Sequence, residues 1–219
     1  MTSERPTARP LAVRRRPESF AARRERQGAI DDPAVVLEAA ARFLEVRPRS
    51  VGEVRRRLTT AGYRTDLVDG AIARMTELGM LDDAAFAQAW VESRDRSRPR
   101  GERAIRAELG LKGVDRTVVD AVLAARRADA LGVADALVAD GAAELDPDLA
   151  PVSVDRAAAE RLLAKHERSL ARVADPRKRR ARAYSLLARN GFDPETCREV
   201  AATVTATADL ADDSAPGVE

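Results

Sequence analysis

Apolar residues recur three and four positions apart along most of this chain, in runs too long for strands and spaced for one face of a helix. Val36, Ala40, Phe43 and Leu44 mark one amphipathic stretch from Pro33 to Val46. Phe86, Trp90 and Val91 mark a second from Asp82 to Arg96, and Leu162, Leu163 and Leu170 mark a third from Asp155 to Val173. After each comes a shorter segment with a shared frame: a base (Arg49, Arg100, Lys178), then a Leu, then a Gly four residues later. The frames are Ser50 through Leu58 to Gly62-Tyr63, Gly101 through Leu109 to Gly113-Val114, and Arg179 through Leu187 to Gly191-Phe192. Six and ten residues beyond each Gly lie Val68 and Ile72, Val119 and Leu123, and Cys197 and Ala201, one face of a further helix.

The punctuation agrees with the periodicity. A Gly after the last apolar position of a helix is the residue that can close it in left-handed geometry. Asp193-Pro194 is an N-cap followed by Pro at the first helical position, Asp66 and Asp115 stand near helix starts, and Asp82-Asp83 opens a helix whose dipole favours acids there. The pattern therefore predicts an all-α chain of three tandem three-helix repeats, an elongated and curved array. Repeat 1 spans 31–81, repeat 2 spans 82–127 and repeat 3 spans 154–206. Leu58 to Leu109 is 51 residues and Leu109 to Leu187 is 78, so 27 extra residues interrupt the array before its third member. One unit is small for an independent core, so neighbours are expected to share apolar surface. Phe43, Phe86, Trp90, Tyr184 and Phe192 read as core.

Charge changes the picture outside the repeats. Residues 1–30 hold eight Arg against three Glu among Pro, Ser and Thr, and read as a disordered basic arm. Residues 128–153 hold six acids and no base, an acidic insert helical around Leu131 to Val138 and a linker after Gly141. Residues 207–219 read as a disordered acidic tail. The net charge of +2 thus conceals a repeat body with 30 bases against 23 acids, a distribution suited to a polyanion.

The candidate binding residues follow from that excess. They are Arg55 and Arg57 (with Arg56 between them) in the first short helix, and Arg94, Arg96 and Arg98 entering the second. Arg100, Arg103 and Arg106 lie on the second short helix, and Arg177, Lys178, Arg179, Arg180 and Arg182 on the third. Arg forks suit phosphates and carboxylates, though any one of these bases could equally be solvated or paired along its own helix. Catalytic chemistry has little to build on. His166 is flanked by Lys165, Glu167 and Arg168, Cys197 falls on a core position, and the acids at 82–83 diverge as helix-start neighbours. Neither a Walker-type loop nor a His/Cys metal set is present in the sequence, so no enzyme, cofactor or metal is expected. Without a signal h-region or an apolar run of membrane length, a cytoplasmic monomer with no membrane contact is expected.

Leu81-Asp82-Asp83-Ala84-Ala85-Phe86-Ala87, with Trp90-Val91, Arg94, Arg100-Gly101, Ile105, Glu108-Leu109 and Gly113-Val114, resembles the RecX family of RecA regulators. Arg49-Ser50, Glu53, Leu58 and Gly62 fit the same pattern, as do Arg179-Arg180, Tyr184, Leu186-Leu187 and Arg189-Asn190-Gly191-Phe192. The resemblance covers roughly residues 33–206. It implies a protein that binds RecA recombinase and its nucleoprotein filament, contacts single- and double-stranded DNA without sequence preference, and inhibits ATP hydrolysis, strand exchange and SOS-related activities in recombinational DNA repair. The basic arm, acidic insert and acidic tail depart from the compact family pattern. The competing reading is a helix-turn-helix DNA-binding protein acting without RecA; against it, 67–73 and 118–125 are mostly apolar or Ala. A nuclease would need the missing His, Asp and Cys constellations.

Overall fold

The computed structural model describes residues 19–139 and 153–212, with side chains over 19–129 and 153–204. Among these residues the chain forms ten helices and no strand: α1 (Phe20–Gly28), α2 (Pro33–Leu44), α3 (Val51–Ala61), α4 (Thr65–Glu77), α5 (Asp83–Ser97), α6 (Glu102–Lys112), α7 (Arg116–Ala139), α8 (Val154–Ala171), α9 (Pro176–Arg189) and α10 (Pro194–Asp212). Helices α2–α4, α5–α7 and α8–α10 are three successive three-helix units.

The caps form where the sequence places them. Asp82 Oδ1 accepts from the Ala84 and Ala85 amides at 2.8 and 3.0 Å, and Asp193 Oδ1 from the Glu195 and Thr196 amides at 2.9 Å. Gly62, Gly113 and Gly191 follow the ends of α3, α6 and α9 with φ of 110°, 80° and 83°. Tyr63, Val114 and Phe192 then donate their amides back to the repeat leucines Leu58, Leu109 and Leu187. The Leu–Gly frame is therefore one turn of geometry repeated three times.

Each unit closes its own core. Leu58 packs with Val36, Val54, Val68, Ile72 and Met75; Leu109 with Phe86, Val91, Ile105, Val119 and Leu123; Leu187 with Leu162, Leu163, Phe192, Cys197 and Val200. The expected sharing of apolar surface between neighbours gives way to a different joint, because units meet at helix ends. There the backbone, not the side chains, is at the surface.

The joint is built twice to the same plan. The carbonyl of Lys112, just before the left-handed Gly113, accepts from the hydroxyl of Ser50, N-cap of α3, at 2.6 Å. The corresponding carbonyl of Asn190 accepts from the amide of Gly101, N-cap of α6, at 3.1 Å. In return Asp83 in the first turn of α5 accepts the first amide of α3, from Val51 (2.9 Å), and Asp155 in α8 accepts the first amide of α6, from Glu102 (2.9 Å). Gly52 and Gly101 allow the close approach: a Cβ on Gly52 would lie 2.7 Å from the Gly113 Cα, and one on Gly101 only 2.3 Å from the Gly191 oxygen. Arg126 of α7, nearly buried, locks the second joint with two hydrogen bonds to Asp95 (2.7 and 2.9 Å) and one to Asp155 (2.8 Å).

Both ends of the array are terminated differently. At α9 the N-cap Asp175 accepts from the chain's own Arg177 and Lys178 amides, and Pro176 has no amide to satisfy, so a fourth unit is not needed. At the other end α1 lies on the closing turn of α3, where a Cβ on Gly62 would meet Arg24. Here the sequence reading is corrected: 20–28 is a helix capped by Ser19, not part of a disordered arm, because its turn rests on unit one. Helix α10 likewise continues to Asp212, past the expected start of a disordered tail, and α7 runs to Ala139 through the helical part of the acidic insert. Residues 1–18, 140–152 and 213–219 of the arm, insert and tail lie outside the described residues.

Two pairs of variants read this out. Gly110 faces open space inside α6, so Gly110→Ala should stabilise by about 0.5–1 kcal/mol, while Gly101→Ala should destabilise, both measured by urea unfolding. Arg126→Ala leaves Asp95 and Asp155 facing each other and should cost about 3 kcal/mol; Asp95→Asn should cost less. Equal midpoints for wild type and Arg126→Ala would exclude the lock.

Candidate interaction surface

The thirteen cations picked out by sequence do not share one fate. Arg55 pairs with Asp69 and Arg106 with Asp120, and both partners of the second pair stand 51 residues after those of the first. These are one scaffold contact, made twice, between the middle and last helices of a unit. Arg94 lies 4.4 Å over the Trp90 ring and donates to Glu108 at 2.7 Å; the indole N–H donates to the same oxygen at 2.8 Å. Arg100 reaches Asn190 Oδ1 of unit three at 2.9 Å and Glu108 at 3.7 Å. Arg179 donates to the Val173 and Ala174 carbonyls at the end of α8. Five of the candidates thus have intramolecular partners.

The other side chains are free of hydrogen bonds and ion pairs among the described residues. Arg57 approaches the Phe43 ring at 5.8 Å. Arg96 and Arg98 are exposed at the end of α5, where cations complement the helix dipole, and Lys165 of α8 joins them by donating to the Ser97 carbonyl at 2.8 Å. Arg103 is exposed on α6 close enough to α10 for its charge to act on Cys197.

Arg177, Lys178, Arg180 and Arg182 are exposed in the first turns of α9, with no acid in the first turn beyond the cap. Cations there oppose the positive end of the helix dipole, so this cluster is held at an electrostatic cost that an anion from outside would relieve. On α4, by contrast, the exposed acids Asp66, Asp69 and Glu77 are each paired with an arginine, Arg64, Arg55 and Arg74.

Other groups behave as structure. Burial pushes the Cys197 thiol upward, away from a reactive thiolate. His166 is exposed on α8, and among the described residues no three His, Cys, Asp or Glu side chains converge as metal ligands. No helix among the described residues is long and apolar enough to cross a membrane.

Sequence reasoning took Asp83 only for a helix-start acid and missed the junction roles of Asp83, Asp155 and Arg126; the one signal was an acid in the first turn of α5 and of α8. It also missed a basic hollow beside the first joint. Glu53 of α3 accepts from Arg47 at 2.9 Å and from Lys112 of unit two at 2.9 Å. Burial pulls its carboxyl upward, but the hydrogen bonds and charges of Arg47 and Lys112 outweigh burial and hold it at about 2, against an ordinary 4.5. A cavity of about 310 Å³ opens there, lined by Phe43, Glu53, Arg56, Arg57 and Thr60.

Comparison with known proteins agrees with the repeat plan. Residues 37–75 match the first three-helix domain of RecX and residues 82–123 the second. Proteins named Regulatory protein RecX from Mycolicibacterium smegmatis and Mycobacterium avium are each 42% identical over 83 residues, 38% of this chain and 44% and 48% of theirs. The chain thus spans a little under half the length of the curated relatives it matches. A crystal structure of RecX from Lactobacillus salivarius superposes with a TM-score of 0.56 at 19% identity, over 82% of this chain and 98% of that one. A second crystal structure of regulatory protein RecX gives a TM-score of 0.58 at 16% identity, over 83% and 72%, and both show the shared fold.

The Glu53 bridge carries a pH signature. Its carboxyl is lower folded than unfolded, so its stabilisation is complete above pH 4.5 and is lost as pH falls toward 2. Unfolding midpoints should drop across that window in wild type, and the drop should be shallower in Glu53→Gln.

Proposed function

We propose, from the premise that this chain belongs to the RecX family through its first two units, that it docks on RecA and its nucleoprotein filament and lowers ATP hydrolysis and strand exchange there. It acts in the cytoplasm as a monomer, without cofactor or membrane contact, and catalyses nothing itself. A linear array of small rigid units suits a helical groove, since each unit meets the next repeat of the filament with the same local frame. The free cations Arg96, Arg98, Arg103, Arg177, Lys178, Arg180 and Arg182 supply the phosphate contacts, which are independent of base sequence. Arg55, Arg94, Arg100, Arg106 and Arg179 hold the scaffold that presents them.

The observation that carries this reading is the pairing of RecX three-helix domains over 37–75 and 82–123 with an unpaired cation cluster at the open end of α9. The helix-turn-helix alternative has the third helices against it, since 67–73 and 118–125 are mostly apolar or Ala where a base-reading helix needs polar side chains.

The test is a titration of RecA's DNA-dependent ATPase. Wild type should slow hydrolysis at or below one copy per RecA. The variant carrying Arg177→Ala, Lys178→Ala, Arg180→Ala and Arg182→Ala should do so weakly, and its salt slope for duplex binding should fall by up to about 3.6 (0.9 for each lost phosphate contact). Absence of any effect of wild type at both low and moderate salt would refute the reading. A footprint at one defined sequence would favour the alternative.

A further inference from the structure

The internal repeat allows one unit to be used as the reference for another. Arg100 in unit two and Arg49 in unit one occupy the same position, 51 residues apart, just before the short helix. Arg100 has two acceptors: the Glu108 carboxylate within its own unit (3.7 Å) and the Asn190 side-chain oxygen of the next (2.9 Å). The position equivalent to Glu108 in unit one is Arg57, and the position equivalent to Asn190 in unit two is Lys112. Both acceptors have become bases.

The consequence is visible at Arg49. Its guanidinium lies 4.2 Å over the Phe43 ring, and its Nε is buried with no hydrogen-bond partner. A buried guanidinium N–H without an acceptor carries a desolvation cost that neither Arg57 nor Lys112 can relieve. Arg56 and Arg57 stand free beside the same ring, at the rim of the hollow of about 310 Å³. The one acid present, Glu53, is already held by Arg47 and Lys112. In unit two the matching place is neutralised internally, with the Trp90 N–H and Arg94 completing the shell around Glu108.

We propose that this hollow is a receptor for a carboxylate side chain from a partner protein's acidic segment, which takes the place that Glu108 fills in unit two. Carboxylate is favoured over phosphate for two reasons on the molecule itself. The group missing by repeat equivalence is a carboxylate held by an Arg and an aromatic wall, and a phosphate's second charge would lie against Glu53. The methylene stem of a Glu side chain would rest on Phe43, while its oxygens take the Arg57 fork at the rim, and its charge would offset the guanidinium of Arg49 behind the same ring. The site uses none of the cations assigned to filament docking and needs no recombinase to be tested.

The decisive variant is Arg57→Glu, which restores the unit-two arrangement and supplies Arg49 with an internal acceptor. The probe is a fluorescently labelled glutamate-rich peptide titrated into the full chain, with a short DNA duplex and inorganic phosphate as the other arms. Wild type should bind the peptide; Arg57→Glu should weaken it at least tenfold and keep or raise the melting temperature, and Arg57→Gln should fall between them. Duplex affinity should change less than twofold in Arg57→Gln, since the α9 cluster is untouched. Unchanged peptide affinity in Arg57→Glu overturns the proposal, as does inorganic phosphate competing at concentrations where acetate does not. Failure of the peptide arm leaves RecA ATPase inhibition to stand or fall by its own titration.

Discussion

A helix of eleven residues has almost as much unfinished hydrogen bonding at its ends as finished bonding in its middle, with four amides and four carbonyls lacking partners inside it. Helices α3 and α6 are this short, and each sits at the centre of a unit too small to bury those ends in its own core. The array solves the problem by passing the groups along. A closing-turn carbonyl of one unit is given to the N-cap of the short helix in the unit before it, and the first amide of that short helix is given to an Asp of the later unit. Stability of a junction is thus hydrogen bonding at helix termini, while stability of a unit is apolar burial around its repeat leucine.

That division explains the distribution of charge. Polar joints need acids at fixed places, and the acids bring arginines with them: Asp95 and Asp155 with Arg126, Glu53 with Arg47 and Lys112. Much of the arginine content therefore belongs to the scaffold. The cations left over stand at the outer end of α9, along the end of α5 and on the exposed side of α6, where no structural pair claims them. Among the described residues the ends of the array are closed by Asp175-Pro176 and by α1.

The repeat also works as an internal control on function. Where two units keep the same residues, as with Arg55–Asp69 and Arg106–Asp120, the contact is architectural. Where they differ in charge, as Arg57 against Glu108, one unit is complete and its neighbour is not. Residues 37–75 and 82–123 match the first and second RecX three-helix domains; the differences between those two stretches are what individualise this chain.

Periodicity, the Leu–Gly frame and the capping residues were enough to determine an all-α fold of three units and most residues of each core, because those properties depend on neighbours within a few turns. Phe43, Trp90 and Tyr184, expected inside, are only partly buried at the core's edge. Leu58, Leu109 and Leu187 are buried where the pattern requires, and Gly62, Gly113 and Gly191 are left-handed. The candidate interaction surface was legible only as a surplus of bases. Whether Arg94 is free depends on Glu108, fourteen residues away and on another helix, and whether Arg100 is free depends on Asn190, ninety residues away. Helix α1 escaped the pattern because nothing in it is buried and its place comes from contact with the closing turn of α3. Local sequence determined the helices and their cores, since hydrogen bonding and burial within a unit are short-range. Only the tertiary structure decided which charges are spent and which remain, since a guanidinium's partner is set by where helix ends meet.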